Sequence, residues 1–403
     1  MREGYVFRRC RTCAKAVGEG QRKCPCAGEA RWGFEVLVSP PGAPRKRHTR
    51  TGFSTKREAI VALAAVQQQA YEGGLVEPSK VTVAEYLEEW LSQQTAAGLR
   101  PSTLASYGQK ITLHVVPAIG AGRLQGLTAT DLDRLYRKLL ESGRSDGRGG
   151  LSPRTTRYVH VILRKSFSDA VRKNLLTRNP TDAADPPSAK AAKAPEGAVW
   201  TPGELRTFLE AVADHSLHPL FRTVAMTGLR RGEVLGLTWD AIDLDRALIT
   251  VTRQLADIDG TGRPIFGPPK TDHGRRTIDV GRATVEVLRS RRRTALEERL
   301  AWGAAYRDHG LVFCKPDGAP LVGDDVSKVF IRLALRAGVP RIRFHDLRDT
   351  HASHCIERGM DIKTLSTRLG HASASFTLDV YGHLMPGQQA EAVARVEEMI
   401  DGL

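Results

Sequence analysis

Thr227-Gly228-Leu229-Arg230-Arg231-Gly232-Glu233-Val234-Leu235-Gly236-Leu237 decides how this 403-residue chain is read. It places Arg230 at a turn-to-helix junction, with Glu233 one helical step away. Alone, such a pair is a surface ion pair on a well-packed helix. The residues downstream add weight. His345-Asp346-Leu347-Arg348 again sets two polar groups three residues apart on one helical face, here an imidazole and a guanidinium. Both suit one phosphate: the guanidinium grips non-bridging oxygens in bidentate fashion, and the imidazole hydrogen-bonds to them or moves a proton. Leu369-Gly370-His371 then ends a helix, and Tyr381 follows on a short helix that Ser375 is expected to cap.

Working outward, hydrophobic residues make up 41% of the chain and charged residues 26%, and no apolar run approaches the roughly 18 residues of a membrane span. A transmembrane protein is excluded and a soluble chain of several domains is expected, with no membrane partner. The N-terminal MREGYVFRRCRTC lacks a secretory pattern, which predicts a cytoplasmic protein. Sixty Lys and Arg against 45 Asp and Glu leave a net charge of +15, which calls for a polyanion such as nucleic acid. Residues 1–57 hold 14 of the basic residues and 4 acids, so this first seventh supplies +10.

The fold class expected is multidomain and mainly α, with small β-sheets. Cys10-x2-Cys13 and Cys24-x-Cys26 predict a Cys-rich knot over residues 1–30, whose four thiolates could hold one structural zinc in place of a core. Over 31–76, alternating Trp32, Phe34, Val36 and Val38, a Pro/Gly turn and a basic run predict a hairpin with Arg45, Lys46, Arg47 and Arg50 as DNA-binding residues. A helix capped by Thr55 and Glu58, with Ala59, Leu63, Val66 and Ala70 as its stripe, should back it. Residues 81–180 read as a helical bundle with basic residues such as Arg134, Arg137 and Arg164 exposed, and 181–197 as a Pro/Ala/Lys-rich linker. From 198 to 403 the pattern is mixed α+β, with strands over 247–255 and 275–280 and helices near 282–300 and 324–337. The tail, 388–403, carries an apolar face of Ala392, Val393, Val396, Met399 and Ile400 expected to dock on a neighbouring protomer.

Together, TGLRRGE, HDLR, LGH and the Tyr-Gly-His-Leu that includes Tyr381 resemble the tyrosine recombinases, the phage integrase family of site-specific DNA recombinases. The layout agrees with the resemblance: a basic arm-binding domain, a helical core-binding domain and a catalytic domain. The resemblance implies an integrase of phage or integrative-element type. Tyr381 would be the nucleophile that forms a 3′-phosphotyrosyl bond, Arg230 and Arg348 the clamp on non-bridging oxygens, and His345 and His371 further hydrogen-bonding groups. Glu233 would orient the arginines, and Lys270 in Pro268-Pro269-Lys270-Thr271 would be the general acid for the 5′-oxygen. No cofactor is implied for catalysis. The implied partners are double-stranded DNA attachment sites, a homotetramer on DNA, and an excisionase and a DNA-bending host protein as accessories. A type IB topoisomerase shares the chemistry, and a non-catalytic DNA-binding regulator is the alternative from another class. One departure is Asp349, where many members have a second histidine. His351, His354 and Cys355 read as packing groups around the site rather than as a metal centre.

Overall fold

The chain divides into two compact units, Met1–Ala194 and Pro195–Leu403. The computed structural model describes residues 4–13, 15–17, 29–38, 46–71, 76, 78–193, 198–269, 272–382, 393 and 396–400.

The first unit has two separate main cores. Strands β1 (Tyr5–Cys10), β2 (Ala30–Val38) and β3 (Lys46–Phe53) form an antiparallel sheet in that order. Helix α1 (Lys56–Tyr71) packs on it, and Phe34, Val36, Leu63 and Val66 close the core between them. Thr55 caps α1 as expected: the Glu58 N–H donates to Thr55 Oγ1 at 3.1 Å, while the Glu58 carboxylate accepts from Ser54 N–H at 2.9 Å. The boundary expected at residue 30 is overturned. Tyr5–Cys10 pairs with Ala30–Glu35 from Tyr5 opposite Glu35 to Cys10 opposite Ala30, so backbone hydrogen bonds hold this segment in the sheet, with Val6 against its core. Strand alternation also splits the basic run. Arg47 shares the open face with Tyr5, Phe7 and Arg9, whereas Arg50 stands opposite Phe34 on the helix-covered side. Lys46 opens β3, and Arg45 lies outside the described residues.

The second core belongs to a bundle of α2 (Val83–Ala96), α3 (Pro101–Lys110), α4 (Val116–Ile119), α5 (Ala129–Ser142) and α6 (Pro153–Arg172). Capping boxes at Thr82/Glu85 and Thr128/Asp131 start α2 and α5, and Ser152 caps α6. Between α3 and α4 the backbone widens into a π-helical turn, Ile111–Val115. Pro117, just beyond, has no N–H to donate and its ring crowds the carbonyl four residues back, so a wider turn relieves the clash. Leu87, Trp90, Leu132, Leu163 and Phe167 fill the centre. The expected linker begins too early. Asn179 caps a 3-10 turn at Pro180–Ala183, Asp185 N–H donates to Asp133 Oδ1 at 2.7 Å, and Arg157 Nη1 donates to Pro187 O at 2.7 Å. Pro and Ala read as linker composition, but here Pro180 is buried and Ala184 joins the bundle core.

The second unit runs α7 (Pro202–Ala211), α8 (His218–Thr227), α9 (Arg231–Leu235), β4 (Ile242–Asp243), β5 (Leu248–Val251), β6 (Gln254–Ile258), β7 (Pro264–Gly267) and β8 (Arg276–Asp279). It continues with α10 (Arg282–Trp302), α11 (Gly323–Arg336), α12 (Asp346–Glu357), α13 (Ile362–Leu369) and α14 (Ala374–Tyr381). Strands β4-β5-β8 form one antiparallel sheet and β6-β7 a separate hairpin. The single strand expected over 247–255 is therefore two. Arg253 turns the chain between them: its guanidinium lies 4.4 Å over the Phe266 ring and donates to Thr238 Oγ1 at 2.6 Å. Trp200, Phe208, Phe221, Phe330 and Phe344 form the aromatic heart, with Trp200–Phe208 centroids 5.0 Å apart. Truncating one of these phenylalanines to alanine costs about 3–5 kcal/mol. A smaller cluster, Ala352, Ile356, Leu365, Leu369 and Tyr381, lies under α12–α14. Among the described residues, no helix is long and apolar enough to cross a membrane. Most of the 388–403 tail lies outside the described residues; 396–400 are helical, with Val396, Met399 and Ile400 exposed.

Candidate active site

Two helix ends build the site. Helix α8 stops at Gly228 and α13 at Gly370, both left-handed with φ of 66° and 68°. Only glycine takes that backbone without strain, and a Cβ would lie 2.6 Å from Leu369 Cδ2 at the first and 2.9 Å from Arg276 Nη1 at the second. The last carbonyls of a helix lack partners within it and carry partial negative charge, so they attract cations. Guanidiniums take them. Arg348 donates through Nη1 to Gly228 O at 2.6 Å and through Nη2 to Leu369 O at 2.7 Å. Arg230 Nη2 donates to Gly370 O at 2.9 Å, and Arg276 Nε to Arg368 O at 2.6 Å.

Glu233 ties two of these together. Its carboxylate caps α9 by accepting from Arg230 N–H at 2.9 Å, then accepts from Arg230 Nη1 at 2.8 Å and from both Arg276 terminal nitrogens at 3.2 and 2.9 Å. Burial alone would raise this carboxyl, yet the hydrogen bonds and charge of Arg276, with Arg230 behind it, outweigh burial and bring it down to about 2. Arg276 reaches inward because β8 alternates: Arg276 and Ile278 are buried, Thr277 and Asp279 exposed. Burial and then the Arg230 charge push Arg348 down to about 10, still protonated at neutral pH. Arg230 and Arg276 thus share one carboxylate, while Arg348 is held by carbonyls alone, so the guanidiniums outnumber Glu233 and prepare the site for an anion.

Tyr381 closes helix α14 and is only 4% exposed. Its hydroxyl donates to Asp349 Oδ1 at 2.6 Å, and its ring lies parallel to that of His371 with centroids 6.3 Å apart. His371 Nδ1 pairs with Thr377 Oγ1 at 2.8 Å, and burial followed by the charges of Arg348 and Arg230 pushes this imidazole down to about 3, so it is neutral. His345 lies exposed just ahead of α12, where the charges of Asp349 and Arg348 reach it. Ser373, not the expected Ser375, caps α14 by accepting from Phe376 N–H at 3.2 Å, because its backbone is extended while Ser375 lies within the helix.

With this geometry in place, residues 200–387 match the Phage integrase family and residues 82–140 its N-terminal SAM-like domain. The chain is a tyrosine recombinase of the phage integrase family. As a family, these enzymes break and rejoin DNA without metal or ATP. The recombinase is 28% identical over 359 residues to the Tyrosine recombinase XerC-like protein of Caldanaerobacter subterraneus, covering 86% of this chain and 90% of that one. It is 27% identical over 374 residues to the ICEBs1 integrase of Bacillus subtilis, covering 91% and 97%. Its fold is similar to that of the Tn1549 transposon integrase solved with circular intermediate DNA, at a TM-score of 0.63 and 18% identity over 78% of this chain and 99% of that one. A lambda integrase tetramer bound to a Holliday junction aligns at a TM-score of 0.55 and 18% identity, over 87% and 93%.

The recombinase brings Arg230, Glu233, Arg348, His371 and Tyr381 into one cluster, with His345 at its rim; Lys270 lies outside the described residues. The segment before it is braced where Gln254 Nε2 donates to Pro268 O at 3.0 Å. Sequence reasoning missed Arg276, Arg368 and the partner of Asp349. Arg368 ties α13 to α8 and β8 by donating to Met226 O at 2.9 Å and Asp279 O at 3.0 Å. It also donates to His351 Nε2 at 3.0 Å, while His351 Nδ1 faces Ala225 O at 3.0 Å. His354 Nε2 pairs with Trp200 O at 2.9 Å. These imidazoles are committed to protein partners, in keeping with their reading as packing groups.

Proposed function

We propose that this recombinase integrates a phage or mobile element by cutting and rejoining two DNA sites through Tyr381. The observation that carries the reading is the guanidinium excess around Glu233 beside a buried tyrosine hydroxyl. In phosphoryl transfer most of the catalysis is positioning and charge stabilisation, which Arg230 and Arg348 supply to the non-bridging oxygens once a phosphodiester enters. Carbonyl bonds at the helix ends use two of Arg348's five N–H donors and fix the plane of the rest. His371, neutral and held at Nδ1 by Thr377, offers its other nitrogen to the phosphate, and His345 approaches from the rim. Lys270 protonates the leaving 5′-oxygen. The phosphotyrosyl bond conserves the phosphodiester energy, so another 5′-hydroxyl religates it without ATP.

Double-stranded DNA is the partner and oligomers the working form; in the finer reading a homotetramer joins attachment sites with an excisionase and a DNA-bending protein as accessories, in the bacterial cytoplasm. The N-terminal sheet serves as the arm-binding domain and the bundle as the core-binding domain. Arg47 leads on the open sheet face, with Arg45, Lys46 and Arg50 as further phosphate contacts. A structural zinc would be held by Cys10, Cys13, Cys24 and Cys26. Two features fit it: Cys10 and Cys13 flank a tight turn, and Thr12 N–H points at Cys10 Sγ at 3.4 Å, as a thiolate favours. Metal analysis tests that site: one zinc per chain is expected, and none after Cys10→Ser. The main reading is tested with a nicked suicide substrate, which should trap the chain covalently on the 3′ side of the cut; no adduct from the wild-type chain would refute it.

A further inference from the structure

The site as described lacks a destination for the phenolic proton of Tyr381. A phenol attacks phosphorus well only as its proton leaves, and this hydroxyl belongs to a residue 4% exposed, so bulk water is a poor acceptor. Its hydrogen bond runs to Asp349 Oδ1, at 2.6 Å. We propose that Asp349 is the general base that takes the Tyr381 proton as the phenolic oxygen attacks the DNA phosphorus.

The inference rests on Tyr381 being the nucleophile. In the forward step the Tyr381 O–H bond breaks and its proton passes to Asp349. The freed pair on the phenolic oxygen forms the bond to phosphorus, the bond from phosphorus to the 5′-oxygen breaks, and that oxygen takes a proton from the general acid. In religation a 5′-hydroxyl returns its proton to the general acid as its oxygen bonds to phosphorus, the bond from phosphorus to the phenolic oxygen breaks, and the Asp349 carboxylic acid gives its proton back to that departing oxygen. The two half-reactions balance without an outside acid or base.

The surroundings suit this exchange. Helix α12 places Asp349 one residue after Arg348, so clamp and base are set by the same turn. Burial and then the Asp349 carboxylate push the Tyr381 phenol well above its ordinary value, so it holds its proton until a base takes it; the charges of Arg348 and Arg230 act in the opposite direction, and His371 beside it is neutral and engaged with Thr377. Asp349 is faced in turn by His345 and Arg343, which stand ahead of α12.

The test is single-turnover cleavage of a nicked suicide substrate at saturating protein, across pH, for the wild-type chain and Asp349→Asn. The asparagine still offers an oxygen to the same hydrogen bond but cannot take the proton. Cleavage should slow by about 10² to 10⁴, and the mutant's rate should climb about tenfold per pH unit as hydroxide replaces the base. Replacing Tyr381 with a fluorotyrosine, whose phenol is more acidic, should shrink the Asp349→Asn defect. An Asp349→Asn chain that cleaves as fast as wild type, or whose defect ignores both pH and phenol acidity, would overturn the proposal and leave Asp349 a packing group. A wild-type chain forming no adduct would instead overturn the nucleophile reading, and the base with it.

Discussion

Arg348 and Arg47 carry the same guanidinium into opposite settings. Arg348 is 2% exposed and gripped by two helix-end carbonyls, whereas the Arg47 side chain is 70% exposed and makes a loose 3.4 Å contact with Glu35. The buried group has lost its freedom before any ligand arrives, so it stabilises a particular geometry. The exposed one keeps its water and flexibility, contributes little to stability, and gains from any nearby phosphate whatever its orientation. The chain keeps the two kinds in separate folding units.

The sharpest way to break that division is Tyr381→Phe, which removes one oxygen and leaves the ring packing. Covalent adduct should vanish from denaturing gels while DNA affinity holds; an adduct from the mutant would move the chemistry elsewhere. Next in size is Lys270→Ala, expected to slow cleavage by roughly 10² to 10⁴ on ordinary DNA and far less on DNA whose bridging 5′-oxygen is sulfur, since a thiolate leaves unprotonated. Arg348→Ala should show no such recovery, because the non-bridging charge is unchanged; equal defects of Lys270→Ala on both substrates would reassign the acid.

Glu233→Gln probes the buried side through stability. Leaving Arg276 without its anion should cost about 3–5 kcal/mol at neutral pH, read from denaturant midpoints. The Glu233 carboxyl is depressed from 4.5 to about 2, so its contribution is fully present above 4.5 and disappears as pH falls through 2. Wild type and mutant should therefore converge in acid, and a gap independent of pH would place the cost elsewhere. The smallest effect belongs to the open sheet: Arg47→Ala should lower the log–log salt slope of arm-site binding by about one and leave unfolding unchanged. A slope that stays put would remove Arg47 from the DNA face.

Much of the architecture was legible because its signals are local. Thr55/Glu58 announces a helix start within a few residues, and the HDLR and TGLRRGE spacings announce side chains that share a turn. What escaped was of longer range. Arg276 meets Glu233 across 43 positions of sequence, and Arg368 finds its carbonyls up to 142 positions away. A carbonyl acceptor has no side-chain signature, so neither arginine stands apart from other surface cations in the sequence. Strand β1 was hidden for a different reason: Tyr5-Val6-Phe7 run together without alternating with polar residues, and the nearby cysteines suggested a self-contained knot, while its stability comes from pairing with β2.

The Gly370 turn carries a consequence for the order in which the molecule is made. Arg230, Arg276 and Arg348 all find acceptors between Arg368 and Gly370, far along the chain from Ala194. Domains fold as units during synthesis, beginning from the N-terminus. The sheet and the helical bundle, complete by Ala194, are therefore in place while the clamp still lacks its closing carbonyls. The sheet and the bundle can form first, and the three guanidiniums take their final directions only once the Gly370 turn has left the ribosome.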